Sequence, residues 1–407
     1  MNNEDLLELA SSHGTPLYVF DEAELQRRVA FIRGNLPSKV EICYAMKANP
    51  FILPRLAHAV DRIEVCSAGE QAICQSLNID TAKLVISGVN KDERAISSAI
   101  ESQGAAARYT VESVEQLNML SRVARDCNTR LKLLLRATSG NQFGMDVRTV
   151  KELASLYGSS PHLDICGIQY YSGTQKKSLD RIEKELSFLG DLVKALHHES
   201  GAYVREIEYG PGLPVDYFDG ADRVEAEAEE RRFLQRFSEL LSAMRPKRKV
   251  VIELGRSLAA TCGTYLTSVV DAKCNDGERY AVVDGGMHHL AYYGNSLALR
   301  HPPCRLLRTA GKGNDDEPPE AWNLCGSLCT SNDMLAKRIH LQGLDKGSVL
   351  AFDKAGAYCM TEGIALFLSR DMPAIVVADK AGRCRVVREG LPTYPANTPQ
   401  IASKWAS

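Results

Sequence analysis

The sequence lacks several features that mark other classes of protein. No apolar run approaches the roughly 20 residues that span a bilayer, and the 12 cysteines occur without CxxC pairs of the kind that bind metal. A net charge of -2 provides no basic surface for nucleic acid. The first residues, MNNEDLLELASSHG, lack the cationic start and apolar core of a secretion signal. We therefore expect a cytoplasmic protein with reduced thiols and with no metal, membrane or nucleic-acid partner.

What the chain does have is a regular alternation of strand-like and helical segments. Its 407 residues suggest two domains or one large barrel with an appendage. Between residues 22 and 255, helical spacing separates eight short apolar runs: EICYAM, RIEVCS, KLVIS, ARYTV, LKLLLRA, LDICGIQYY, EIEY and VVIEL. This order predicts parallel strands joined by helices, and eight such units close a (β/α)8 TIM barrel. The alternative is an open, doubly wound α/β sheet.

The pattern changes after residue 255. The runs TYLTSVVDAK, RYAVVDGG, SVLAFDK and AIVVADKAGRCRVVREG are strand-like, and little helical spacing lies between them. Near the N-terminus, TPLYVF also resembles a strand. We predict a barrel domain at 22–255 and a C-terminal antiparallel β domain formed by 1–21 and 256–407.

Chemically unusual residues lie at the ends of the predicted barrel strands, where barrel enzymes carry their active sites. Lys47 follows the first strand in YAMKANP, and a partly desolvated amine is a nucleophile toward carbonyl groups. The segment GPG, which ends at Gly212, follows the seventh strand, and glycine-rich loops at this place often bind phosphate. Glu253 lies at the end of the eighth strand. Each feature alone has an ordinary structural explanation, but together they indicate a phosphorylated carbonyl cofactor.

Eight motifs along the chain occur in the order found in one enzyme family. They are YAMKANP, EVCSAGE, QFGMD, GPGLPVDYF, ELGRSLAATCG, VVDGGM, CTSNDMLAK and AGAYC. In these motifs, from about residue 15 to 378, the chain resembles the fold-type III pyridoxal-phosphate-dependent decarboxylases, the diaminopimelate and ornithine decarboxylase family. The resemblance implies an alanine racemase-like fold, pyridoxal 5'-phosphate as cofactor and amino-acid decarboxylation as activity. It also implies a homodimer with shared active sites.

The resemblance further implies a role for individual residues. Lys47 would carry the cofactor as a Schiff base, and Glu253 would face the pyridine nitrogen and keep the ring protonated, so that the ring accepts electrons. Cys329 would protonate the substrate α-carbon in the partner subunit's site. The other residues implied in cofactor binding are Tyr171, Thr174, Gly212, Gly255, Arg256 and Tyr358.

Several positions depart from the family pattern. Tyr171 replaces a histidine that stacks on the cofactor ring, so stacking is kept and any proton transfer by that histidine is lost. Thr330 replaces an acidic residue that meets a distal ammonium, and Tyr292 replaces an arginine that helps hold a substrate carboxylate. His288 offers a polar edge instead. These changes favour a small-molecule or carrier-linked amino acid as substrate, as in the subgroup of carrier-protein-linked glutamyl decarboxylases, and a role in specialised-metabolite biosynthesis.

Two alternative functions stay open. An amino-acid racemase has the same barrel and lysine, but racemases of this shape usually face the pyridine nitrogen with arginine, whereas Glu253 favours the protonated ring. A non-catalytic pyridoxal-phosphate-binding protein is typically a lone barrel. The long β domain and Cys329 disfavour that second alternative.

Overall fold

The computed structural model describes residues 1–218, 223–292, 300–307 and 318–399. Within these ranges the chain divides into two compact units. The barrel unit consists of Gln26–Val215 and the later segment that ends at Leu258. The β unit consists of Met1–Leu25, residues 216–218 and the segment that begins at Ala259. The domain boundaries predicted from the sequence, after residues 21 and 255, stay a prediction.

The barrel unit contains a closed barrel of eight parallel strands, which follow the first strand of the chain, β1 (Leu17–Asp21). They are β2 Glu41–Ala45, β3 Arg62–Val65, β4 Leu84–Ile86, β5 Arg108–Val111, β6 Leu131–Ala137, β7 Leu163–Tyr171, β8 Glu206–Gly210 and β9 Lys249–Leu254. Pairing of β9 with β2, with Cys43 opposite Glu253, closes the circle. These strands match the eight predicted runs, so the TIM barrel is confirmed and the open sheet is excluded.

Helices connect the barrel strands. In chain order the α-helices are α1 Asn3–His13, α2 Glu22–Gly34, α3 Leu53–Leu56, α4 Ala68–Ser76, α5 Glu93–Gln103, α6 Val114–Asp126, α7 Val147–Tyr157, α8 Leu179–Ser200, α9 Arg223–Ala243, α10 Arg256–Ala259 and α11 Tyr394–Asn397. Ser67, Ser113 and Ser178 begin α4, α6 and α8, and each side chain accepts a hydrogen bond from a free backbone N–H of the first turn. Among the described helices, none is long and apolar enough to cross a membrane.

In its described residues, the β unit forms a nine-stranded sheet in the order β14-β13-β11-β10-β1-β16-β17, with β15 also paired to β10 and β12 paired to β15. The strands are β10 Gly263–Asn275, β11 Glu278–Val283, β12 Cys304–Leu307, β13 Glu320–Cys325, β14 Met334–Leu341, β15 Val349–Phe352, β16 Ala374–Ala378 and β17 Cys384–Arg388. The predicted antiparallel domain is in fact mixed, because β1 pairs parallel with β16 and β11 pairs parallel with β13. Parallel pairs need long connections, and the whole barrel separates β1 from β16.

Each unit has its own apolar core. A layer of buried side chains fills the middle of the barrel, and its members are Cys43, Val85, Leu134, Cys166 and Val251. Such a layer makes the barrel interior a packed core and leaves its C-terminal end for chemistry. In the β unit, Leu6 and Leu9 of α1 pack against β-strand residues such as Leu17, Leu266 and Val376.

Candidate active site

The C-terminal ends of the barrel strands place one amine between two carboxyl groups. Lys47 lies in a 3-10 helix (Met46–Ala48) that directly follows β2. Its Nζ donates a hydrogen bond to Glu64 on β3 and lies 3.6 Å from Oε1 of Glu253 on β9. The Lys47 side chain is 39% exposed, whereas that of Glu64 is only 4% exposed. The amine is therefore accessible, while the acids that surround it are buried.

The two carboxyl groups have opposite electrostatic properties. Burial disfavours the charged form of Glu64, but the ammonium group of Lys47 outweighs this effect and lowers the pKa of Glu64. Burial raises the pKa of Glu253, and the neighbouring Glu64 carboxylate raises it further. A cation placed against Glu253 would favour its charged form. Glu253 is thus poised to share a proton with a basic group that binds beside it.

Two further polar side chains lie in the barrel interior, one layer closer to the N-terminal ends of the strands than Glu253. Gln169 on β7 donates from Nε2 to Oε1 of Glu208 on β8, at 3.0 Å, and to Oε2 of Glu253, at 3.4 Å. Burial, followed by repulsion from Glu253, raises the pKa of Glu208 to about 8. Glu64, Gln169 and Glu208 are not among the site residues expected from the sequence. A signal was present, because a polar residue in the middle of an apolar barrel strand requires a partner inside the barrel.

The loops after β7 and β8 approach each other closely. Gly212 has a left-handed φ of 61°, and a Cβ atom on it would lie 2.1 Å from the carbonyl oxygen of Gly173. A Cβ atom on Gly210 would lie 2.5 Å from the ring of Tyr171. The backbone N–H of Lys176 donates to the carbonyl of Gly212 at 2.8 Å. Only glycine fits at these two positions of β8 and its loop, so the backbones of the two loops can pack closely.

A buried ion pair holds these two loops together. Nζ of Lys176 donates to Oε2 of Glu185 on α8, at 2.7 Å, and to Oγ of Ser172, at 3.0 Å. It also reaches the carbonyl of Gly210 at 3.4 Å. The hydroxyl of Tyr209 donates to the same oxygen of Glu185 at 2.6 Å. The position of the glycine loop is therefore determined by buried charge rather than by the loop alone.

The remaining predicted cofactor residues of the barrel unit lie around Glu253. Tyr171 ends β7, and Thr174 follows it in the loop. Burial raises the pKa of Tyr171, as does the charge of Glu253, while the cations Lys47 and Arg256 and the side chain of Thr174 act in the opposite direction. Arg256 begins α10 directly after Gly255 and β9. The structure thus brings together an amine, a carboxyl group, an aromatic ring and a guanidinium group, as expected from the sequence motifs.

The predicted proton donor lies in the β unit. Cys329 is an exposed thiol in the loop between β13 and β14. The carboxylate of Asp333 accepts backbone hydrogen bonds from Leu328 at 2.8 Å and Met287 at 2.7 Å. The N–H of Thr330 donates to the carbonyl of Leu328 at 2.8 Å. Asp333 therefore fixes the loop that presents Cys329 and Thr330.

The other predicted residues of the β unit are more enclosed. The hydroxyl of Tyr292 donates to the backbone carbonyl of Asp353. His288 is buried, and burial together with His289 lowers the pKa of its ring to about 3, so the ring is uncharged at neutral pH. Tyr358 has a left-handed φ of 65°. Neither Tyr292 nor His288 supplies a positive charge.

The barrel-unit site fits pyridoxal phosphate. Lys47 supplies an accessible amine for its carbonyl group, and Arg256, which begins α10, supplies a guanidinium group for its phosphate. The buried acid Glu253, whose pKa is raised by burial, is the group that a basic pyridine nitrogen would complement.

Comparisons with known proteins agree with this chemistry. The family model described as "Pyridoxal-dependent decarboxylase, pyridoxal binding domain" matches residues 22–260. The L-glutamyl-[BtrI acyl-carrier protein] decarboxylase of Niallia circulans is 25% identical, over 95% of this chain and 94% of that protein. The 2-[(L-alanin-3-ylcarbamoyl)methyl]-2-hydroxybutanedioate decarboxylase of Staphylococcus aureus is 26% identical, over 90% of this chain and 95% of that protein.

A solved structure shows the same fold. The crystal structure of diaminopimelate decarboxylase from M. jannaschii, in complex with L-lysine, superposes with a TM-score of 0.82 at 22% identity. The superposition covers 98% of this chain and 95% of that one. With the family match, this confirms the fold, the enzyme class and the cofactor expected from the motifs. The chain belongs to the pyridoxal-dependent decarboxylase family and is a pyridoxal-phosphate-dependent enzyme.

Proposed function

We propose that the protein decarboxylates an amino acid or an amino-acid conjugate, with Lys47 carrying pyridoxal phosphate as a Schiff base. The observation that carries this proposal is the position of the Lys47 amine, bonded to Glu64 and 3.6 Å from Glu253. The cofactor, when bound, supplies a protonated ring that accepts the electron pair released as the α-carboxylate leaves as CO2. A buried carboxyl group at Glu253 would keep the proton on the ring nitrogen.

The residues around the amine have separate tasks in this proposal. Glu64 accepts a hydrogen bond from Lys47 and would orient its side chain. Tyr171 would stack against the cofactor ring, and Thr174 in the following loop would also contact the cofactor. The phosphate would be bound by Gly212, Gly255, Arg256 and Tyr358. Arg256 and the backbone of the glycine loop are the donor types that bind phosphate well.

Cys329 is the proposed acid that protonates the α-carbon after CO2 has left. It would act in the partner subunit's site, in a homodimer with two shared active sites. The exposure of Cys329, on a loop fixed by Asp333, supports this role because the thiol is presented on the surface of its own chain. A thiol is an acid of suitable strength for catalysis at neutral pH.

The proposed substrate is conjugated or carrier-linked rather than a free diamino acid, which would suit a role in specialised-metabolite biosynthesis. Thr330 carries no charge to pair with a distal ammonium, and the Tyr292 hydroxyl is bonded within its own unit to Asp353. An unpaired ammonium in a buried site costs several kcal/mol. The names of the two relatives above also describe a carrier-linked and a conjugated substrate.

Trapping and turnover together test this function. Borohydride reduction of the purified enzyme should attach the mass of the cofactor to the peptide that contains Lys47, and Lys47→Ala should abolish both the label and CO2 release. Lys194→Ala, at an exposed lysine of α8, is the matched control and should keep both. CO2 release should be at least about ten-fold more efficient with carrier-loaded than with free amino acids, a difference of about 1.4 kcal/mol. Labelling of another lysine, or a free diamino acid as best substrate, would contradict the respective part of the proposal.

A further inference from the structure

Gln169 links two carboxyl groups beneath the proposed cofactor site. In the barrel, Gln169 of β7 stands directly opposite Glu208 of β8, and both side chains are buried. The amide Nε2 of Gln169 lies 3.0 Å from Oε1 of Glu208 and 3.4 Å from Oε2 of Glu253. One amide group therefore donates both of its N–H bonds to acids, one on β8 and the other on β9.

This arrangement gives the two oxygens of Glu253 different surroundings. Oε2 faces the amide of Gln169, and Oε1 faces the amine of Lys47 at 3.6 Å. Rotation of the carboxyl group would break the bond to Gln169, so the amide fixes the orientation of the carboxyl plane. A hydrogen bond to a charged acceptor is stronger than one to a neutral acceptor, so this contact favours one orientation of the carboxyl group.

Glu208 lies in surroundings that favour its uncharged form. The titratable or charged side chains that face it are Glu253 of β9, Glu64 and Arg62 of β3, and Cys43 of β2. Arg62 lies 3.7 Å from Oε2 of Glu208, but its guanidinium group already donates to both oxygens of Glu206, at 2.9 and 2.7 Å. Burial and Glu253 raise the pKa of Glu208 to about 8, so it retains its proton at neutral pH.

We propose that Gln169 is a positioning residue, anchored by the buried Glu208, that holds Glu253 in the orientation facing the pyridine nitrogen. This inference rests on the proposed role of Glu253. A neutral acid accepts the N–H of Gln169 without adding a second negative charge beside Glu253. A charged acid at the same place would disfavour the carboxylate form of Glu253, because like charges repel in a buried site.

Three variants separate positioning from packing. Gln169→Met keeps the volume and removes the amide, so kcat should fall about ten-fold or more while KM changes little. The dissociation constant for pyridoxal phosphate, measured by titrating the apoprotein, should rise several-fold. Glu208→Gln keeps both volume and neutrality, and its kcat and dissociation constant should stay within about two-fold of wild type. Glu253→Gln removes the carboxylate itself and should lower kcat at least as much as Gln169→Met.

A spectroscopic measurement tests the charge of Glu208 without relying on turnover. The infrared difference spectrum of wild-type minus Glu208→Gln apoprotein at neutral pH should contain the carbonyl band of a protonated carboxylic acid, separate from any contribution of Glu253. Absence of that band, or a Glu208→Gln enzyme as impaired as Gln169→Met, would overturn the uncharged role of Glu208. A Gln169→Met enzyme with wild-type kcat and cofactor affinity would overturn positioning by Gln169. Full activity of Glu253→Gln would instead contradict the proposed function, and the infrared result does not depend on it.

Discussion

Replacing Arg62 by Met should destabilise the barrel unit by about 3–5 kcal/mol, because it breaks a buried ion pair from one side. The Arg62 side chain is 2% exposed and donates to both oxygens of Glu206, at 2.9 and 2.7 Å, and to Glu41 at 3.0 Å. Methionine fills most of the aliphatic volume, so the loss comes from charge and hydrogen bonds. Arg108 still donates to Glu206 at 2.8 Å and keeps it paired, so we expect a loss of about 3 kcal/mol, at the lower end of this range.

Urea unfolding of the apoprotein, followed by circular dichroism, measures this loss as a shift of the transition midpoint at unchanged slope. Arg122→Met is the matched control, because Arg122 pairs with Glu93 on the surface, where the two side chains are 50% and 44% exposed. Exposed ion pairs contribute little to stability, so we expect no measurable shift of the midpoint. The double variant Arg62→Met/Glu206→Gln should regain only part of the loss, because it removes the buried negative charge but also removes the carboxylate partner of Arg108. A loss below about 1 kcal/mol for Arg62→Met would show that the pair acts like a surface pair and refute the reasoning.

Three other predictions concern pH, cofactor binding and subunit exchange. The pKa of Glu208 is raised from 4.5 to about 8 on folding, so its contribution to apoprotein stability is complete below pH 4.5 and is lost as the pH rises through 8. The melting temperature of the Glu208→Gln apoprotein should therefore fall less than that of the wild type over this pH range. An equal fall in both proteins would contradict this prediction. Lys176→Met should weaken pyridoxal phosphate binding in a fluorescence titration because it frees the glycine loop, whereas the exposed control Lys194→Met should not. Mixing inactive Lys47→Ala and Cys329→Ala chains should restore partial activity, and no recovery after confirmed exchange would place each site within one chain.

The barrel could be predicted from the sequence because its signals are local. Each strand is a short apolar run, and a helix-capping residue such as Ser67 or Ser113 stands shortly after it. The mixed sheet of the β unit could not be predicted in this way. Its parallel pairing of Leu17 with Ala374 joins segments more than 350 residues apart, and neither segment carries a local mark of its partner or direction.

The site was predictable where strand ends alone determine position. Lys47 and Glu253 follow or end barrel strands, so closure of the barrel brings them together. Glu208 and Gln169 were missed because their importance depends on which face of a strand points inward, and that requires the register. Lys176 stands in a polar loop that looks solvated, and only its contacts with Glu185 and the next strand bury it.

Buried glutamate side chains lie at both ends of the barrel interior, but neighbouring cations compensate their negative charge to different degrees. At the N-terminal end, Arg62 and Arg108 both donate to Glu206, and their charges and hydrogen bonds outweigh the effect of burial and lower the pKa of Glu206. At the C-terminal end, Lys47 stabilises the charge of Glu64, while the pKa of Glu253 stays raised. A ligand with a basic nitrogen would place a second cation, besides Lys47, next to Glu253. The attraction between this nitrogen and the buried acid would increase the affinity for the cofactor. Because such a ligand binds only the folded chain, its binding would in turn stabilise the folded enzyme.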